Sequence, residues 1–298
     1  MSQEARLESL SQSQKERLAY IEFKLYFMGE VKRADLTNRF QTAGAAATRD
    51  LGLYRDLAPE NSIFDGSSKS YRISNKFKPL FEHSLERVIS ALTQGFGEGL
   101  GGPMKSLLPC EVPSVLNRPN LEVLAAITRA INLNRPLSLE YQSLSSGVTV
   151  RELVPFALVD SGLRWHVRAY DRKRKSFGDF VLTRMKNPIV LETEVPHEYE
   201  TAQHDIQWNR IVELELVPHP SKDHPEIIAM DFGMTDNILR VKARAAVVGY
   251  LLRRWFVDCS QTHEIDDIAC YLWLKDPLAL YGVESAKLAP GYTKPGQE

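Results

Sequence analysis

The chain has no apolar run approaching the ~18 residues of a membrane-spanning helix. Its opening, MSQEARLESLSQSQKERL, is polar and predicts no secretory signal. Cysteine is scarce. Cys110, Cys259 and Cys270 lie far apart with no CxxC pair, which excludes a disulfide framework or zinc ribbon and fits the reducing cytoplasm. Catalytic signatures are missing as well: there is no HExxH, no GxSxG, no P-loop and no paired acid cluster at metal spacing. His219, Asp223 and His224 suggest a metal, but prolines at 218, 220 and 225 break any regular ligand spacing. The expectation is a cytoplasmic, non-enzymatic protein with no cofactor, no metal and no membrane partner.

Apolar material is ample, at 43% of residues, and the length suits two or three domains. The net charge of −1 hides an uneven distribution. Residues 1–95 carry 14 Lys/Arg against 12 Asp/Glu, and residues 187–298 carry 10 against 18. Between them, Arg164 to Lys186 hold eight basic residues against two acids. Uniform coating of nucleic acid would need a basic chain throughout. Anion binding here must be local, and the acidic C-terminal part must face elsewhere.

The basic stretch, RWHVRAYDRKRKSFGDFVLTRMK, reads as two strands and a charged turn. Trp165, Val167 and Ala169 alternate with His166, Arg168 and Tyr170, the period of two that puts one set on each face of a sheet. Arg and His on a strand are costly to bury and call for an anionic partner. His166, Arg168 and Arg184 are therefore candidate anion ligands, and near pH 6.5 His166 would add charge. A solvated basic hairpin with a satisfied histidine fits the same composition. The tip, Arg172 to Lys175, reads as a solvated turn.

Residues 12–28 form a predicted helix with Leu18, Ile21, Leu25 and Met28 in one stripe, ended by Gly29. A second helix runs from Lys32 to Phe40. A third, from about Ala45 to Leu57, buries Ala47, Leu51, Tyr54 and Ala58, and Pro59 stops it. Ile63 and Phe64 then lead through Asp65-Gly66 to Tyr71 and Ile73, a hairpin. This is the order of a winged helix-turn-helix, whose third helix enters the major groove by its N-terminal half. Ala45, Thr48 and Arg49 would face bases or nearby phosphates, Ser67, Ser68 and Lys69 would lie in the wing, and Arg33 would be a surface or phosphate contact. A helical domain without a DNA role fits the same pattern.

A helix is predicted over 75–93. In the following GFGEGLGGP, Gly97, Gly99 and Gly102 satisfy G-x-G-x-x-G, but a helix precedes it where a nucleotide loop needs a strand, so it reads as a linker. After a helix over 120–132, strands are predicted at 137–141, 148–154, 156–159, 165–170, 179–183 and 189–192, dense enough for a small, strongly bent β-barrel. From Trp208 the pattern is that of a small α+β domain.

Tyr141-x-Ser143, Arg151, Pro155, Trp165-His166-Val167, Tyr170-Asp171, Phe180 and Arg184 together resemble a WYL domain, with Trp-His-Val standing where the name tripeptide would be. The run TRDLGLYRDLAPENSIFDGSSKSYRIS resembles the winged helix-turn-helix of bacterial WYL regulators from phage-defence islands, the BrxR and CapW group. The resemblance implies an α+β multidomain chain: a winged helix-turn-helix at 1–94, a linker and connecting helix at 95–134, an Sm/SH3-like WYL barrel at 135–200 and a WYL-extension-like dimerisation domain at 201–298. It implies a homodimeric repressor on an inverted-repeat operator in double-stranded DNA, regulated by an anionic nucleotide or nucleic-acid fragment and controlling a phage-defence operon. The implied pocket is Tyr141, Ser143, Arg151, His166, Arg168, Tyr170 and Arg184. One alternative is an adaptor that binds single-stranded nucleic acid, with bases stacking on Tyr170 and Phe177. Another, an enzyme pairing His166 with Ser143, lacks an orienting carboxylate.

Overall fold

The computed structural model describes residues 3–96, 106–110 and 118–294, and the chain divides into two units at Val112 and Pro113. The glycine-rich segment expected as a linker lies, from Gly97 to Met104 and Lys105, outside the described residues.

In the first unit, α1 (Gln3–Glu8) precedes α2 (Gln12–Met28). Ser11 and Gln14 close the start of α2 as a reciprocal capping box, and Gly29 ends it with φ at 79°. A strand not foreseen in the sequence, β1 (Glu30–Lys32), then leads into α3 (Arg33–Phe40) and α4 (Gly44–Leu57). The hairpin of β2 (Ser62–Asp65) and β3 (Ser70–Ile73) forms as expected, and β1 adds to it in the order β1-β3-β2. Leu18, Ile21 and Leu25 pack with Val31, Leu36, Ala47, Leu51, Tyr54 and Leu57 in one core. Each fully buried leucine there contributes about 1.5–3 kcal/mol.

The helix expected over 75–93 begins only at α5 (Leu85–Gln94). Pro79 has no N–H and biases Lys78 away from helical angles. The next two N–H groups, of Leu80 and Phe81, donate instead to the buried Glu22 carboxylate at 2.7 and 2.9 Å. Glu22 also accepts from the Tyr54 hydroxyl at 2.9 Å and faces His83 Nε2 at 3.0 Å. These contacts fasten the chain after the wing to α2, and Val88 and Ala91 of α5 then pack on Phe23.

The second unit opens with α6 (Leu121–Leu133), whose cap Asn120 accepts from Glu122 N at 2.7 Å. Five antiparallel strands follow: β4 (Leu137–Ser143), β5 (Gly147–Asp160), β6 (Trp165–Asp171), β7 (Ser176–Val181) and β8 (Met185–Val190). The two strands expected on either side of Pro155 are one. β5 runs through, pairing with β4 in its first half and with β6 in its second, and its register to β6 slips between Pro155 and Ala157. Such a bulge bends a strand without ending it.

The sheet order is β7-β6-β5-β4-β8, so the expected closed barrel is not found: β7 and β8 remain edges with no ladder between them. Three residues, Leu182–Arg184, carry the chain from one edge to the other, so the sheet curls until its edges approach at that end. Val123, Ile127 and Ala130 of α6 cover the core residues Leu137, Leu139, Leu153, Val167, Ala169 and Phe180. Trp165, expected on that packed face, is 45% exposed at the strand's start.

The C-terminal part is the expected small α+β arrangement. It contains α7 (Ile206–Asn209), β9 (Ile211–Pro218), α8 (Pro225–Asp231), β10 (Leu239–Arg244), α9 (Ala245–Arg254) and β11 (Leu272–Leu274). The antiparallel order is β10-β9-β11. Val212, Leu214 and Leu216 alternate inward against Val248 and Leu252, while Glu213 and Glu215 pair outward with Lys242 and Arg240. At Gly249 a Cβ would lie 1.9 Å from the Ser285 carbonyl oxygen, so only glycine lets α9 sit against the turn Glu284–Leu288. No helix among the described residues is long and apolar enough to cross a membrane.

Candidate nucleic-acid interface and ligand cavity

The period of α4 puts Ala47, Asp50 and Leu51 inside and leaves Ala45, Thr48 and Arg49 exposed on one face. Thr48 Oγ1 donates to the Gly44 carbonyl at 2.9 Å, and the Arg49 guanidinium has no hydrogen-bond or ion-pair partner among the described residues. Asp50 accepts from Arg17 Nε at 2.6 Å and Nη2 at 3.3 Å, which fixes the roll of α4 against α2 and so the direction of that face. Arg33, exposed at the start of α3, lies beside Gly44, its Nε 3.9 Å from where a Cβ would stand.

The wing tip is organised by Asp65. Its Oδ1 accepts from Ser67 Oγ at 2.6 Å and Ser67 N at 2.9 Å, while Oδ2 pairs with Arg72 at 2.8 Å. The bonds from Ser67, then Ser68, hold this carboxyl well below the usual carboxylate range. Ser67 thus spends its hydroxyl inside the turn, and Ser68 bonds Ser70 at 2.7 Å. Lys69, exposed with φ at 51°, has no partner among the described residues and is the cation that the tip presents.

In the second unit a cavity of about 420 Å³ lies where the WYL-like sheet meets α9 and the turn Glu284–Leu288. Of the seven predicted ligand residues, Tyr141, Ser143, Arg151, Arg168 and Arg184 line it. His166 and Tyr170 do not.

The two most buried arginines are already neutralised. Arg151 Nη1 donates to Asp171 at 2.6 Å, and its Nε to Thr149 at 2.9 Å. Arg168 donates to Asp205 from Nε at 2.7 Å and Nη2 at 3.1 Å, and from Nη1 to Asp179 at 3.2 Å. Burial alone would lower the Arg168 pKa, but these two carboxylates raise it above the ordinary value. Tyr141 accepts from Val181 N at 3.2 Å, and Ser143 Oγ caps the β4–β5 turn at Ser145 and Ser146. Arg184 is different: half-buried, it has no hydrogen-bond or ion-pair partner for its guanidinium among the described residues. Lys287, from the C-terminal part, faces the same space and is likewise without one.

His166 is 6% exposed, its ring 5.2 Å from Tyr250, and its Nδ1 has no hydrogen-bond partner. Burial pushes its pKa down, against the opposing pull of Asp179. Burial thus disfavours the extra charge that its position in the basic stretch suggested. Tyr170 is enclosed by the rings of Phe177 and Tyr199 at 5.1 and 5.9 Å and lines a separate groove. Nor is the hairpin tip wholly solvated. Lys173 to Lys175 are exposed, but Arg172 bonds Glu200 at 2.9 and 3.1 Å, Glu194 at 2.6 Å and Glu152 at 3.3 Å, which fastens the chain after β8.

Sequence reasoning missed Asp179 as a cavity residue, although the hairpin register that sets it opposite Arg168 was readable. Asp205, Tyr250 and Lys287 come from far along the chain, and no local pattern marks them. Among the described residues no group of three or more His, Cys, Asp or Glu is placed to hold a metal ion. His219 is instead buried between Ser221 at 2.8 Å and Asp258 at 3.2 Å.

Three family descriptions match the chain in order. Residues 13–94 match the BrxR transcriptional regulator winged helix-turn-helix domain, residues 122–190 the WYL domain, and residues 211–280 the BrxR transcriptional regulator C-terminal dimerization domain. The chain is similar to the DNA-binding transcriptional repressor CapW of Escherichia coli strain KTE188, 32% identical over 283 residues and covering 91% of each chain. It is similar to those of Pseudomonas aeruginosa, 34% identical with 80% of this chain and 81% of that one covered, and Stenotrophomonas maltophilia, 31% identical with 80% and 82% covered.

Proposed function

The chain belongs to the CapW and BrxR family of winged-helix, WYL-domain transcriptional regulators, and from that premise we propose that it is a homodimeric DNA-binding repressor of an inverted-repeat operator. Its domains are regulatory, not catalytic. Residues 1–94 bind DNA, 95–134 connect, 135–200 sense a ligand and 201–298 dimerise, all in the cytoplasm. The observation that carries DNA binding is the exposed Thr48–Arg49 face, held in orientation by the Arg17–Asp50 pair. Ala45, Arg33 and the wing residues Ser67, Ser68 and Lys69 flank it, with Arg33 and Lys69 as the cations for phosphate. A first unit so near neutrality binds weakly alone, and two copies on two half-sites supply the missing affinity.

The ligand is an anion, a nucleotide or nucleic-acid fragment, held in the cavity by Arg184 with Tyr141 and Ser143 on the same wall. Arg151 and Arg168 line the same cavity with their charges already met by Asp171, Asp205 and Asp179, and His166 and Tyr170 lie outside its lining. Control of a phage-defence operon rests on the likeness to the BrxR and CapW regulators. The test is a gel shift on the duplex upstream of the chain's own coding sequence, at salt that suppresses counterion-driven binding. The reading requires a clear preference over random duplex; equal binding to both sinks it.

A further inference from the structure

Arg168 is surrounded by more negative charge than it needs. Asp205, whose side chain is 2% exposed, takes Nε and Nη2 as a two-pronged pair and suffices to neutralise it. Asp179 is a second carboxylate on the same cation. Its side chain is 11% exposed, and it faces the cavity that Arg184 lines. While one oxygen accepts from Arg168 Nη1, the other accepts the Tyr250 hydroxyl at 3.1 Å. Tyr250 stands on α9, in the region that matches the family's dimerization domain.

We propose that Asp179 is a resident anion that the ligand displaces, and that its displacement carries the signal from the WYL cavity to the dimerisation domain. This rests on the anion-ligand reading given above. A phosphate entering beside Arg184 meets Asp179 as a like charge in a partly dehydrated space, where repulsion is stronger than in water. The same phosphate offers Arg168 Nη1 a replacement acceptor. Asp179 then turns away, and the Tyr250 hydroxyl loses its partner. A ligand shifts a conformational equilibrium only through differential affinity for the two states. Here the difference has a defined origin: the tied state contains the competing carboxylate and the released state does not.

The experiment uses the full chain, a 5′-phosphorylated thymidine dinucleotide as probe and the upstream duplex as reporter. Wild type binds the probe by calorimetry, and saturating probe changes duplex affinity by a factor of about 5–150. Tyr250→Phe cannot tie Asp179. It binds the probe severalfold more tightly, shows without probe the duplex affinity of probe-saturated wild type, and responds to the probe by less than about twofold. Asp179→Ala, which removes both the competing charge and the acceptor of the Tyr250 hydroxyl, gives the same three results by a second route. Purely structural roles would lower stability without reproducing the ligand-bound duplex affinity. A Tyr250→Phe chain that responds to the probe as wild type does overturns the proposal and leaves the anion-ligand reading standing. A wild type whose duplex affinity the probe leaves unchanged overturns both.

Discussion

Arg17 and Asp50, on α2 and α4, are joined by two hydrogen bonds of 2.6 and 3.3 Å, and Asp50 is the immediate neighbour of the exposed Arg49. The pair therefore orients the surface proposed to meet DNA without belonging to it. Arg17→Ala would leave the 5% exposed Asp50 without its cation. The expected cost is about 2–3 kcal/mol of stability, since a buried carboxylate loses its charged partner. Urea denaturation measures it, and duplex affinity should fall at temperatures where the variant is still folded. An unchanged urea midpoint would show that the pair is too solvated to matter.

Arg49→Ala removes a side chain with no partner among the described residues. Stability should change by less than about 0.5 kcal/mol. Duplex affinity should fall by about 10–100-fold, the worth of a good base or phosphate contact. Lys69→Ala should act differently, weakening all duplexes alike and reducing the slope of log affinity on log salt by about 1. Full retention of specific binding in Arg49→Ala would favour an adaptor of single strands over an operator-reading repressor.

The helices of the winged domain were legible because their signal is local. Leu18, Ile21 and Leu25, and Ala47, Leu51 and Tyr54, repeat at helical spacing and are buried where that spacing puts them. The misreadings arose where a distant partner decided the outcome. Leu80 and Phe81 look helical, yet their N–H groups go to Glu22, almost sixty positions earlier. Pro155 looks like a strand break, yet β6 pairs across it as a bulge. The site divides in the same way. Arg168 and Arg184 stand out in the sequence, but Arg168 is spent on Asp205 and Arg184 is not, a distinction that only long-range geometry makes.

That distinction separates the two arginines in mutagenesis. Arg168→Gln leaves Asp205 and Asp179 buried without their shared cation, and about 3–5 kcal/mol of stability should be lost. Arg184→Gln breaks no ion pair among the described residues and should cost under about 1 kcal/mol while reducing anion binding. Chemical denaturation of both variants checks the order. If Arg184→Gln proved the more damaging, an internal structural role for Arg184 would replace the ligand role.

The last prediction concerns acid stability. His166 has a folded-state pKa below its ordinary 6.5, chiefly because its ring is buried, and it also faces the Tyr250 ring, Asp179, Arg164 and Arg184. Between the folded and unfolded pKa values the unfolded chain binds the proton and the native chain does not, so stability rises with pH in that window. On acidification the loss begins as pH falls through about 6.5, the unfolded value, and is complete only below the depressed folded value. His166→Gln has nothing to titrate at that position. Melting temperatures at pH 7.5 and 5.5 should therefore differ less in His166→Gln than in wild type. Equal differences in the two chains would mean that the imidazole takes up its proton inside the fold, reaching water or an acid by rearrangement, and the buried neutral histidine would have to be abandoned.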